Sequence, residues 1–421
     1  MRALLLLAAA ALPALTFTDP APVAETTVAA PPAIIVADGR IHLFWLDRPA
    51  GSPRATGEVW HGALAPDGRI AIAPRRIEAG ADTRFAWPVA ALAGSRIHLA
   101  WMARGPGGLG LRVTVLETTG SVAGRVSPAA GMAEEGGRIS LLVTGGSGTA
   151  EHVHLAWSQF DRGARRVWYA RLDAAGRVTL PGRAVVEGEA PALTRDEGVR
   201  LLWWTGAGAG TYILRTAALE AAGSVGPVED LSGSLLLADP LPPIPSSGSE
   251  GLDILVPTLE RSFRTSGQLY LIRLRGGSAT ARLPLSRGRP LGDVVAWTGG
   301  EPPLLVWAEP AGRRQNGEIF AARLDAATGQ LAELSRVSYT PSGSLRPAVT
   351  GPFPTAAWLE TVEVGRFRLV VGMAGGRRRT ALLNAPELDA ARPASAAAFA
   401  AAVILSVLPF AALFAAVFGL A

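Results

Sequence analysis

The sequence predicts an all-β protein whose main domain is a seven-bladed β-propeller, with a six-bladed propeller as the alternative. Three observations lead to this fold class: an apolar phrase ending in Trp that recurs along the chain, tight-turn signals between the recurrences, and 49 Gly and 32 Pro among 421 residues. So much Gly and Pro is typical of many short strands joined by turns, not of long helices.

The recurring phrase has six residues, with one histidine in the same place each time. It reads RIHLFW from Arg40 to Trp45, RIHLAW from Arg96 to Trp101 and HVHLAW from His152 to Trp157. Related runs end at Trp203, Trp307 and Trp358, and LDILV (Leu252–Val256) is a degenerate copy inside the one double interval. With that copy counted, the units recur about every 52 residues, close to the period of propeller repeats.

Each unit reads as four short strands. In the first unit PAIIVADG (Pro32–Gly39) is a strand that ends in a turn, and the Trp-bearing strand follows it. GEVWHGALAPDG (Gly57–Gly68) reads as a third strand with its turn, and RIAIAPRRIEAG (Arg69–Gly80) as a fourth. Asp-Gly between apolar runs is a hairpin signal because the turn needs a positive φ. Four antiparallel strands per unit make a propeller blade.

The blade count depends on the fifth unit. That unit lacks the Trp, and DPLPPIPSSGSEG (Asp239–Gly251) would be a long loop if the unit were not a blade. Seven blades are therefore the prediction and six the alternative.

The histidines of the phrase read as packing positions. Alternation along a strand places Ile41, Leu43 and Trp45 on one face and His42 and Phe44 on the other. Both faces of an inner strand are buried where blades stack, and Trp fills the wedge between them. His42, His98 and His154 are then expected in equivalent slots of three different blades, held apart by the blade spacing. The same slot carries Arg200, Leu304 and Thr355 in later units. No metal site and no cofactor is predicted.

Both ends of the chain read as targeting segments. Arg2 precedes an apolar run from Ala3 to Phe17, which predicts a signal peptide over residues 1–24, with an uncleaved anchor as the alternative. Residues 25–30 read as a short linker and 31–390 as the propeller. Residues 394–421 carry no charge and are long enough to cross a bilayer, so they predict a transmembrane anchor. The expected protein is exported and held at the cell membrane, with the propeller on the extracytoplasmic side.

Composition excludes several classes of function. The chain has no Cys, which excludes disulfides, thiolate metal sites and cysteine nucleophiles. All 40 basic residues are Arg, and the net charge of +5 is scattered along the sequence. Nucleic-acid binding is not predicted, because tracking phosphates requires a basic stripe.

Two segments carry a family resemblance. SLRPAVTGPFPTAAWLE (Ser344–Glu360) and HLAWSQFDRGARRVWYARLDAAGRV (His154–Val178) resemble the blade repeats of sialidase-like (BNR-type) β-propellers of exported bacterial and archaeal proteins. The resemblance covers roughly residues 31–390 and implies the propeller fold. It does not imply one activity, because such propellers include hydrolases, lectins and scaffolds.

A sialidase site would require an arginine cluster, a Tyr activated by Glu, and an acidic Asp. The family's turn, Ser-x-Asp-x-Gly-x-x-Trp, is absent: APDGRI and LDAAGRV keep the turn but lack the flanking Ser and Trp. Of the four tyrosines, Tyr339 lies in a connection between blades, close in sequence to Arg346. No catalytic residue is assigned, and Tyr339 and Arg346 are candidates only if the protein is a hydrolase.

Three functions remain open at this stage. The favoured one is an extracytoplasmic, membrane-tethered binding or scaffold module. It would act in adhesion, in recognition of a glycan or a protein, or as an accessory subunit of a membrane complex. The second is an exported sialidase-type glycoside hydrolase, and the third a structural protein of the cell envelope. The side chains at the mouth of the central channel should discriminate between the first two.

Overall fold

The chain divides into two compact units, Met1–Arg377 and Arg378–Ala421. The computed structural model describes residues 15–49, 51, 56–83, 87–105, 108–129, 135–146, 149–161, 163–208, 210–233, 235–236, 240–248, 251–258, 268–275, 278–284, 294–298, 302–311, 316–325, 328, 330–340, 343–351 and 354–374. All of these belong to the first unit. The predicted transmembrane segment 394–421 and the first fourteen residues of the predicted leader lie outside the described residues. Within the described part of the chain, no helix is long and apolar enough to cross a membrane.

The regular elements of the described residues are all β-strands, as the composition predicts. The first strand is β1 (Ala21–Thr26). The next eight are β2 (Ala33–Ala37), β3 (Arg40–Asp47), β4 (Thr56–Leu64), β5 (Ile70–Asp82), β6 (Val89–Ala93), β7 (Arg96–Gly105), β8 (Gly108–Glu117) and β9 (Val122–Val126). These eight form one sheet, in which β2–β5 and β6–β9 are two runs joined by the single pair Ala81↔Ala103.

Five further sheets complete the described fold, and each is one blade of a β-propeller. The first two are built from β10 (Glu135–Gly146), β11 (Thr149–Asp161), β12 (Ala164–Asp173) and β13 (Val178–Glu187), and from β14 (Glu189–Arg195), β15 (Val199–Gly208), β16 (Thr211–Leu219), β17 (Glu229–Asp230) and β18 (Leu235–Leu236). The next two are built from β19 (Ile244–Gly248), β20 (Gly251–Thr258), β21 (Gln268–Arg275) and β22 (Ser278–Pro284), and from β23 (Val294–Trp297), β24 (Leu304–Ala311), β25 (Asn316–Asp325) and β26 (Gln330–Arg336). The last contains β27 (Ser344–Thr350), β28 (Thr355–Glu363) and β29 (Arg366–Met373), with β1 as its fourth strand.

β1 closes the propeller by pairing with β29. Ala21 is opposite Val371 and Thr26 opposite Phe367, and before the strand Phe17 bridges to Ala374. Phe17 is fully buried. The sequence prediction assigned residues 21–24 to the leader and 25–30 to a linker, whereas here 21–26 are the outer strand of the last blade. The local pattern does not reveal this strand because its pairing partner lies at the other end of the chain.

The Trp-bearing strands pack on both faces, as predicted for blades that stack. Ile41, Leu43 and Trp45 contact the β27–β29 sheet, including Leu359 and Leu369. Phe44 and Leu46, on the opposite face of β3, pack instead with residues of β7 such as Leu99. The alternation read from the sequence therefore places successive side chains of β3 in two different interfaces.

Four turns between third and fourth strands share one geometry. Each has a glycine whose N–H donates to the carbonyl three residues earlier, and whose φ lies between 79° and 85°. We call them the turn glycines: Gly68, Gly120, Gly176 and Gly223. Each turn lies against the preceding run or sheet: a Cβ at Gly120 would be 2.6 Å from His61 Cε1, and one at Gly176 would be 2.6 Å from Val115 Cγ2. The positive φ predicted from Asp-Gly is thus also what allows close contact with the neighbouring strands.

Candidate functional site at the mouth of the central channel

Six of the first strands, namely β2, β6, β10, β19, β23 and β27, line a central cavity of about 430 Å³. Its walls are largely apolar. They include Pro32, Ile34, Val89, Ile139, Ile244 and Val295. The cavity is within the size range of ligand pockets, which are mostly apolar with a few polar groups at defined places.

One position recurs at the beginning of these first, inner strands. In each repeat, the residue just before the Trp (or before Val256, which replaces it) pairs with a residue of the inner strand. The recurring position lies two residues before that partner. We call it the mouth slot. Its described members are Pro31, Trp87, Arg138, Ala190, Pro242 and Arg346. Inner strands of a propeller run parallel around the channel, so these residues meet at one of its ends, the mouth.

Two arginines of the mouth slot converge on its tryptophan. The Arg138 guanidinium carbon lies over the Trp87 ring, 3.5 Å from the centroid, and that of Arg346 lies 5.0 Å from it. Both are within range of a cation–π interaction. Arg346 also donates from Nε to the Ala29 carbonyl oxygen, at 3.1 Å. The mouth therefore brings two positive charges to the end of an apolar channel.

A β-bulge directs Arg346 to this place. The pairing of β27 with β28 shifts register between Leu345 and Ala348, and Arg346 has a φ of 57°. Ala190 of β14 has the same position, the same kind of register shift and a φ of 49°. Bulges re-aim side chains, and a non-glycine residue at positive φ stores strain that is found mostly at functional sites.

The two residues proposed from the sequence have different neighbours. Arg346 lies at the mouth against Trp87. Tyr339 is 39% exposed, and its ring lies under the Arg336 guanidinium at 4.7 Å from the centroid. Sequence reasoning missed Trp87 and Arg138. Counting back from each Trp of the repeat to the start of the preceding strand would have aligned both with Arg346.

The repeated histidines lie inside the blade interfaces, where each has a partner within the protein. His42 Nδ1 is 3.1 Å from His61 Nε2, and His98 Nε2 donates to the Ala174 carbonyl oxygen at 3.1 Å. His154 Nδ1 is 2.6 Å from Tyr169 Oη. The described residues contain no group of three or more His, Asp or Glu side chains that could hold a metal ion.

Burial keeps these imidazoles neutral. Desolvation lowers the pKa of His42 to about 4 and that of His154 to about 4. Desolvation, with a smaller contribution from the neighbouring His42, lowers the pKa of His61 to about 3. The pKa of His98 is also lowered, again mainly by burial. None of these side chains is among those that line the channel.

Similarity to known proteins is found at the level of solved structures. No family model and no curated protein matches the chain. Among solved structures, the chain is similar to the β-propeller domain of the Trilobed protease from Pyrococcus furiosus, with 11% identity, a TM-score of 0.47, and coverage of 83% of this chain and 95% of that one. A neuraminidase-like protein of a flat-faced bat isolate gives 10% identity, a TM-score of 0.43, and coverage of 88% and 96%.

The acylaminoacyl peptidase of Pyrococcus horikoshii gives 9% identity and a TM-score of 0.50, and covers 82% of this chain. Only 52% of the peptidase is covered, so this chain spans about half of that protein. Identities this low show the fold alone. The described residues of this chain form a β-propeller.

Proposed function

We propose that this chain is an exported, membrane-tethered β-propeller that acts as a binding module, and that the Trp87 cluster recognises an acidic group of its ligand. The observation that carries the proposal is the convergence of Arg138 and Arg346 on Trp87 at the end of an apolar channel. Arginine forks match carboxylates, and the ring fixes the guanidinium planes.

Seven blades are part of this proposal. The eight-stranded sheet has two runs of four strands, each with its own Trp-bearing second strand, and only the pair Ala81↔Ala103 joins them. Counting the runs as two blades, together with the five single-blade sheets, gives the number expected from the sequence repeat.

The register of the last blade separates the mouth from the bridge that Phe17 makes with Ala374. Arg346 lies near the start of β27, whereas Thr350 at its other end pairs with Thr355, and Thr355 pairs with Met373 at the end of β29. Both Phe17 and Ala374 therefore lie at the face opposite the mouth, and this closing bridge does not cover the proposed site.

The closing strand also narrows the predicted leader. Leu15 and Phe17 are buried together in the core shared by the last two sheets, and Thr18 accepts and donates hydrogen bonds with Met373. Cleavage before Leu15 keeps this closure, whereas cleavage at residue 24 removes most of β1. We expect the mature chain to begin at or before Leu15.

The experiment is binding of the detergent-solubilised full chain to a panel of acidic oligosaccharides (sialylated, uronate-bearing and sulfated), each against its neutral counterpart. We expect an acidic probe to bind, and Arg138→Gln and Arg346→Gln to weaken that binding at least tenfold, because each removes a charged hydrogen-bond donor.

Arg177→Gln is the matched control, since Arg177 is an exposed arginine paired with Asp173 on a turn. Equal binding by the mouth variants and this control, or no binding of any acidic probe, would overturn the proposal. Release of free sugar from the sialylated probe would instead support the hydrolase hypothesis.

A further inference from the structure

A second cavity, of about 330 Å³, lies at the outer strands where β5 meets β7, β8 and β9. Beyond the single pair Ala81↔Ala103 the two runs diverge, and the cavity lies in the wedge between them. We call it the rim pocket. Its polar lining consists of Glu78, Trp101, Arg104, Arg112, Thr114, Arg125 and Ser127. The remaining lining residues are apolar: Ala79, Ala103, Val113 and Val126.

A series of hydrogen bonds, buried at Trp101 and exposed at Arg125, forms one wall of the rim pocket. Trp101 Nε1 donates to Thr114 Oγ1 at 3.1 Å, and Thr114 Oγ1 donates to Glu78 Oε1 at 2.9 Å. Arg125 Nε donates to the same Glu78 oxygen at 2.7 Å. Trp101 and Thr114 are 4% and 1% exposed. These hydrogen bonds fix the Glu78 carboxylate and thereby position the Arg125 guanidinium at the edge of the pocket.

The rim pocket has more positive than negative charge. Glu78 is paired with Arg125, and Arg104 with the fully buried Asp82 at 3.1 Å. Arg112 has no ion-pair partner within the described part of the chain, and it lines the same cavity. The buried Nε of Arg104 also has no hydrogen-bond partner among the described residues. A buried donor without a partner is costly, so the Arg104 Nε favours an acceptor in the pocket, and the charge of Arg112 favours an anionic one.

We propose that the rim pocket is a second binding site and takes a small organic carboxylate with an apolar body. Three arginines face two carboxylates, those of Glu78 and Asp82, and the single excess positive charge matches a monoanion. The fork of Arg112 fits a carboxylate, while Trp101 and Ala103 contact the apolar part. The volume is at the lower end of the range for small-molecule pockets. This site is separate from the Trp87 cluster and shares no lining residue with it.

The experiment is calorimetric titration of the full chain with phenylacetate, phenylacetamide and inorganic phosphate at fixed ionic strength. We expect phenylacetate to bind, and phenylacetamide to bind at least tenfold more weakly because it lacks the charge. Arg112→Gln should weaken phenylacetate binding at least tenfold. Arg112 is exposed, so its substitution should leave the fold intact.

Two control variants locate the binding. Arg69→Gln removes another exposed arginine, on the turn between β4 and β5, and should leave phenylacetate affinity unchanged. Arg177→Gln, at an exposed arginine on the turn between β12 and β13, should also leave it unchanged. Loss of binding in either control variant, unchanged binding in Arg112→Gln, or binding of phosphate in place of phenylacetate would each overturn the proposal.

Discussion

The histidine position of the repeated phrase, called the slot below, has different partners in the β2–β5 run and in the β10–β13 sheet. In the first, His42 on the second strand contacts His61 on the third, with stacked rings 5.3 Å apart. In the second, His154 contacts Tyr169, which has the same position as His61, and its Nε2 is 2.8 Å from Thr144 Oγ1. Both ring nitrogens of His154 are therefore satisfied, whereas His61 Nδ1 has no hydrogen-bond partner among the described residues.

The difference teaches what the slot requires. A tyrosine brings one polar atom at the end of its ring, and a single hydrogen bond satisfies it, whereas an imidazole at the same place brings two nitrogens. Elsewhere the slot contains Arg200 with Asp196, 3.3 Å away, or Asp253 with Arg273, 3.8 Å away. The slot thus accepts a polar residue where a neighbour supplies a partner. In the β2–β5 run, His42 Nε2 and His61 Nδ1 have no hydrogen-bond partner among the described residues.

Acidification should give the largest loss of folding stability, and the largest part of that loss should arise in the β2–β5 run. An unfolded histidine has a pKa of about 6.5, whereas the folded values are about 4 for His42, 3 for His61 and 4 for His154. Below pH 6.5 the unfolded chain binds protons that the folded chain does not. Stability is therefore lost as the pH falls toward 4, by about 2 kcal/mol per imidazole at pH 5. Urea unfolding at pH 7 and pH 5 measures this loss.

His61→Leu tests the source of the acid sensitivity. It should reduce the loss between pH 7 and pH 5 by about 2 kcal/mol, because one titrating imidazole is gone. Leu43→Ala, a fully buried position in the same strand pair, should lower stability equally at both pH values. An unchanged pH dependence in His61→Leu would show that the acid sensitivity lies elsewhere.

Gly120→Ala should give the next largest effect, since this turn glycine covers His61. The alanine would have a φ of 85°, and its Cβ would be 2.6 Å from His61 Cε1. Gly39→Ala is the matched control, with a φ of 65° and no atom within 4 Å of its Cβ. We expect Gly39→Ala to cost about 1–2 kcal/mol from backbone strain alone, and Gly120→Ala about 1–3 kcal/mol more from overpacking.

The free energy of unfolding in urea measures both variants. Adding His61→Ala should remove the extra cost of Gly120→Ala, because the clash partner is shortened. If Gly39→Ala and Gly120→Ala lower the free energy of unfolding equally, the turn does not pack closely enough against His61 to exclude a Cβ.

The sequence predicted those parts of the fold that depend on local pattern. The Trp-bearing strands, their alternation at Ile41–Trp45 and the glycine turns all follow from a period of two and from turn chemistry within one repeat. β1 was missed because its identity as a strand comes from pairing with β29, which no local pattern encodes. The mouth was found only in part. Arg346 was noticed, but its convergence with Arg138 on Trp87 joins residues from three separate repeats, and the pattern within one repeat does not encode contacts between repeats.

Tyr169→Phe should give the smallest loss of stability. It tests most directly the difference between the His154–Tyr169 pair and the His42–His61 pair. It removes the one hydroxyl that contacts His154 Nδ1 and leaves a buried nitrogen without a partner, at a cost of about 1–2 kcal/mol. Tyr339→Phe, a substitution of the same kind at an exposed ring, should change stability by less than about 0.5 kcal/mol. If the cost arises at this hydrogen bond, Tyr169→Phe should become nearly neutral in a His154→Leu background, since no nitrogen remains to be satisfied. A cost that persists in that background would place the role of Tyr169 in packing, and the contrast with His61 would then concern ring size instead of hydrogen bonding.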